Sequence, residues 1–60
     1  MNWISVKDEL PENWEDVLCY SDKNGGYFFI GYWSDNLEAW CKDGLMHCYN
    51  VTHWAYLETP

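Results

Sequence analysis

The chain has 60 residues and a formal net charge of −7, from ten acids against three lysines and no arginine. That length holds a single small domain, residues 1–60, and the charge excludes ordinary binding of DNA or RNA through the phosphate backbone. Aromatic residues make up 20% of the chain, including five Trp and five Tyr. They bury the most area per residue, so a core too small to be stable through size alone is expected to rely on dense aromatic packing and on self-association.

In chain order the pattern is strands separated by turn residues. "WISV" is short and β-prone, and "KDELPENWED" after it, with Pro11 and several acids, is expected to be a connecting loop with at most one helical turn. "VLCY" is a four-residue apolar run of the kind that forms a buried strand. "SDKNGG" is the strongest turn signal, because Asn24 and Gly25 tolerate the positive φ of a tight hairpin.

That hairpin should join "VLCY" to "YFFIGYW", where Tyr27, Phe29, Gly31 and Trp33 share one face and Phe28, Ile30 and Tyr32 the other. Both faces are apolar, so this strand is expected to be central or covered by another subunit. Gly31 within it signals a bend, a bulge or the close approach of another group. "LEAWC" follows as a further strand and "KDG" as a turn. In the final stretch, "LMHCYNVTHWAYL", strand geometry puts Thr52, Trp54 and Tyr56 on one face and Val51, His53, Ala55 and Leu57 on the other. The expected fold class is all-β or β-rich α+β: a small antiparallel twisted sheet of about four or five strands, in a homo-oligomer.

The opening "MNWISVKDEL" has neither the basic nor the apolar region of a secretion signal, and no stretch has the roughly 18 apolar residues of a membrane span. The odd set of Cys19, Cys41 and Cys48 is therefore expected to be reduced, in a cytoplasmic protein.

"WISVKDELP" at one end and "VTHWAYL" at the other resemble the family known as domain of unknown function 551, through Trp3, Ile4, Val6, Leu10, Pro11, Thr52, His53, Trp54 and Leu57. The resemblance covers nearly the whole chain and implies a short protein encoded by a bacteriophage or prophage, working in the host cytosol. It implies no activity.

The chemistry-bearing residues argue against an enzyme. No nucleophile motif surrounds a cysteine, no glycine-rich phosphate loop is present, and Cys41, His47, Cys48 and His53 have zinc-ligand chemistry without zinc-ligand spacing. No metal and no cofactor is expected. His53 is expected to be held by hydrogen bonds to backbone or a Thr hydroxyl.

Two functions from different classes remain. In the first, a phage-encoded counter-defence protein sequesters a nucleotide-like immune signal, with Trp33 and Trp40 stacking on the ring, Tyr32 giving a hydroxyl contact, Lys42 or Lys7 meeting a phosphate, and His53 lining the pocket. In the alternative, the acidic segment with Glu9, Glu12, Trp14, Glu15 and Asp16 blocks a basic groove on a host protein as a nucleic-acid mimic would, Trp14 being the apolar anchor.

Overall fold

A computed structural model describes residues 2–42 and 45–57, with the backbone alone at 45–49. Six strands form one antiparallel sheet: β1 (Ile4–Ser5), β2 (Val17–Ser21), β3 (Tyr27–Ser34), β4 (Ala39–Lys42), β5 (Leu45–Tyr49) and β6 (His53–Ala55). Their spatial order is β1-β6-β2-β3-β4-β5. The small antiparallel sheet expected from the alternation is thus present, extended to six by the two-residue β1 and by division of the final stretch into β5 and β6.

The β2–β3 hairpin carries the turn that "SDKNGG" announces. Ser21 pairs with Tyr27, so the connection is five residues rather than a two-residue turn, and it contains a single 3-10 turn over Lys23–Gly25. Asn24 and Gly25 take φ of 52° and 84°, the left-handed region that these two residue types enter most readily.

"KDELPENWED" is an irregular loop without a helix. It turns first at Ser5, whose carbonyl accepts from the amides of Asp8 and Glu9. The Trp54 indole then pins it by donating to the Glu9 carbonyl at 2.9 Å, and further on the Trp14 amide donates to the Trp33 carbonyl at 3.0 Å.

The strand order forces the sheet to curl. β6 and β5 are four strand spacings apart, about 19 Å across a flat sheet at ~4.8 Å per spacing. Only Asn50, Val51 and Thr52 separate Tyr49 from His53, and those four steps reach about 14 Å at most. A flat sheet cannot be bridged, so the strands wrap around a common interior. The molecule measures 28 × 26 × 23 Å, as a wrapped sheet should.

That interior holds Val17, Cys19, Phe29, Trp40, Val51 and Trp54, with Ile4, Val6, Tyr27 and Trp33 packed against it. The two faces of β3 divide as the alternation requires: Phe29 and Gly31 are buried, whereas Phe28 and Ile30 are exposed. Gly31 marks a close approach, since a side chain there would meet the Cys41 carbonyl oxygen and the ring of Phe29. Among the described residues no helix is long and apolar enough to cross a membrane.

Candidate ligand-binding site

The outer face of the sheet carries a row of side chains set by register alone. Ser5 pairs with His53, His53 with Tyr20, and Tyr20 with Phe28, so one line crosses β1, β6, β2 and β3. Each neighbours a residue that points inward, because successive strand side chains alternate: Ile4, Trp54, Cys19 and Phe29 face the core while Ser5, His53, Tyr20 and Phe28 face out. Trp3, two residues before Ser5, falls on the same outer side.

These rings form a cluster. Trp3 lies 6.3 Å from Tyr20 edge-on and 5.7 Å from Phe28, and Tyr20 lies 5.1 Å from Phe28. Together with His53 they line a recess of about 320 Å³, at the small end of the roughly 300–1,000 Å³ range of ligand pockets. Phe28 is 62% exposed, Ile30 46% and Trp3 38%. On an antiparallel sheet with one solvated face the outer positions are ordinarily polar, so uncovered rings are unusual there.

A second depression of about 450 Å³ adjoins the recess and shares His53 with it. It is lined by Ser5, Val6, Lys7, Asn50, Val51 and Thr52. Its floor is fixed by two backbone bonds, Val6 amide to Thr52 carbonyl at 3.1 Å and Thr52 amide to Tyr20 carbonyl at 3.0 Å. His53 Nδ1 is 3.0 Å from the Thr52 hydroxyl, the partner type the sequence suggested for it.

The residues expected to form a stacking pocket fall in several places. Trp40 is 5% exposed and belongs to the core, where Trp33 meets it edge-on at 5.6 Å. The Trp33 indole donates to Asp35 at 2.7 Å. Tyr32, adjacent to Trp33 and so on the opposite face, stacks on Trp14 at 5.1 Å. It sits four residues along β3 from Phe28, about 13 Å away. Lys42 is exposed on β4. Only Lys7 and His53, of the six, line a common depression.

Of the acidic segment, Glu9, Glu12, Trp14 and Asp16 are exposed and Glu15 is half-buried. Trp14 is 57% exposed with a φ of 71°, a backbone region that bulky residues seldom occupy.

Sequence reasoning missed Trp3, Tyr20 and Phe28. The five-residue connection sets Tyr20 opposite Phe28, whereas a two-residue turn at Asn24 and Gly25 would set Tyr20 opposite Phe29, so the sequence alone did not bring these rings together. Placing β6 and β1 beside them requires the long-range pairing.

The cysteines offer no accessible nucleophile among the described side chains. Cys19 is fully buried, and loss of hydration pushes its thiol from 9.0 up to about 12, against a smaller lowering by a hydrogen bond from the Gly31 backbone. Cys41 is also buried and free. Among the described residues no three His, Cys, Asp or Glu gather as metal ligands; the side chains of His47 and Cys48 lie outside the described ones.

Fold and site together define a small all-β protein with a curled antiparallel sheet and an open aromatic recess on its convex side. The chain belongs to the family described as Protein of unknown function (DUF551), whose model matches residues 2–60. The two end stretches that carry the family pattern are neighbours in the sheet, with Ile4 opposite Trp54. No curated protein and no solved structure matches the chain.

Proposed function

We propose that the protein is a non-enzymatic binding module that holds a nucleotide-like molecule by stacking its ring in the recess of Trp3, Tyr20, Phe28 and His53. The observation that carries this reading is the uncovered ring cluster itself. Stacking on aromatic side chains contributes about 1–3 kcal/mol per base, and three rings around one small recess suit a single base.

Size favours a small ligand over a second copy at this face. Taking about 200 Å² for each whole large side chain, the exposed parts of Trp3, Phe28 and Ile30 offer roughly 300 Å². A standard interface takes about 800 Å² from each partner. In the phage setting that the family resemblance implies, the cargo is an immune nucleotide signal of the host, removed from the cytosol by binding without cleavage.

The test is calorimetric titration with nucleosides. Phe28→Ala and Trp3→Ala should each weaken binding at least tenfold while leaving the melting temperature within a few degrees, because both side chains are exposed. Unchanged affinity in both variants would remove the recess from the reading.

A second reading rests on Trp14, exposed and stacked on Tyr32 within the acidic segment. It would anchor a basic protein surface flanked by Glu9, Glu12, Glu15 and Asp16. Binding by this route should fall steeply with salt, whereas stacking in the recess should not.

A further inference from the structure

The depression beside the recess has a largely apolar lining that includes Val6 and Val51, but it carries more polar groups than the recess does. Ser5 and Thr52 bring hydroxyls, Asn50 an amide, Lys7 an ammonium and His53 a ring nitrogen. Among the described residues Lys7 has no carboxylate partner, although acids outnumber lysines ten to three in the chain. When the Thr52 hydroxyl donates to His53 Nδ1, the ring proton rests on Nε2, which then becomes a donor.

We propose that this depression is an anion subsite, so that the bound molecule is a flat ring joined to one anionic group, of the class of nucleoside monophosphates. This rests on the aromatic-recess reading above: the ring lies against Trp3, Tyr20 and Phe28, the phosphate lies over Lys7 and the Ser5 hydroxyl, and His53 spans the seam with its Nε2–H as a further donor.

The same geometry limits the charge that can be accepted. Among the described residues Lys7 is the only cation lining the subsite. Asn50, on its border, holds the Asp22 carboxylate at 3.0 Å, and the whole chain carries −7. A first phosphate gains a charge-assisted contact. A second and third meet a carboxylate and a negative field without a further cation. One phosphate should therefore bind better than none and better than three.

The experiment titrates the full chain by calorimetry with the four common ribonucleosides, their 5′-monophosphates and their triphosphates, in the wild type and in Lys7→Met. Lys7 is exposed, so the variant should keep the fold. The expected result is that the best monophosphate binds about tenfold tighter than its nucleoside and several-fold tighter than its triphosphate. In Lys7→Met the monophosphate should fall to the level of the nucleoside.

Equal binding of nucleoside and monophosphate in the wild type, or an undiminished ratio in Lys7→Met, would overturn the subsite and leave the aromatic recess standing. Tightest binding of the triphosphate would overturn the limit to one phosphate. No binding of any of the twelve at millimolar concentration would overturn the recess and the subsite together.

Discussion

Gly31→Ala probes how closely β3 and β4 approach. A Cβ at position 31 would stand 2.5 Å from the Cys41 carbonyl oxygen and 2.8 Å from Cε2 of Phe29. The ring could tilt, but the carbonyl belongs to the backbone. Relief therefore requires β4 to move away, loosening the Gly31–Lys42 and Tyr32–Cys41 pairs. Overpacking of this kind costs about 1–3 kcal/mol, offset by about 0.5–1 kcal/mol from the smaller entropy of an unfolded chain with Ala. A net loss of about 1–2 kcal/mol lowers the melting temperature by roughly 8–16 °C in a chain of this length, at about 8 °C per kcal/mol. The assay is thermal unfolding followed by far-UV circular dichroism. Gly25→Ala gives the comparison: its Cβ would meet nothing within 4 Å, but its φ is +84°, so it reports conformational cost alone. A Gly31→Ala protein melting within about 2 °C of wild type would refute the close approach.

Three further outcomes are expected. Trp40→Ala should cost about 3–5 kcal/mol as a large-to-small core change, most of what a domain this small possesses, and denaturant titration should find it largely unfolded; a cooperative fold of near wild-type midpoint would place Trp40 outside the core. Stability should be full below pH 9.0 and decline as pH rises toward about 12, because there the unfolded Cys19 releases a proton that the folded one keeps. The slope is at most about 1.4 kcal/mol per pH unit; urea midpoints of wild type and Cys19→Ala between pH 8 and 10.5 should diverge, and parallel curves would contradict it. The chain should also self-associate through the outer edges of β1 and β5, which pair with no other strand among the described residues, so sedimentation equilibrium should show a discrete oligomer at micromolar concentration, and a monomer throughout would dismiss it.

Local features were legible in the sequence. The faces of β3 follow from two-residue alternation, Asn24 and Gly25 announce their positive φ, and Gly31 announces a close neighbour. Position in the sheet was not legible. Nothing local says that β5 and β6, three residues apart in the chain, lie four strand spacings apart in the sheet order. The site was hidden for the same reason. Five tryptophans look alike as letters, and only the curl decides that Trp40 and Trp54 turn inward while Trp3 is left over Tyr20 and Phe28. Trp14 is a further case, since no residue pattern signals a left-handed backbone at a bulky aromatic position.

The pairing of β1 with β6 has a consequence for how the protein comes into being. The run from β2 to β5 joins sequence neighbours, whereas Ile4 and Trp54 are roughly fifty positions apart. Closing so long a loop costs about 3.5 kcal/mol of chain entropy, against about 1.4 kcal/mol for the five-residue turn between β2 and β3. The hairpins should therefore assemble early, and the pairing of β1 with β6 should form last. Because the recess draws residues from both ends of this order, it does not exist in a half-made chain. If the recess binds a ligand as proposed, a molecule leaving the ribosome would gain that affinity only after β6 has emerged and docked, and captured ligand would then mark completed folding.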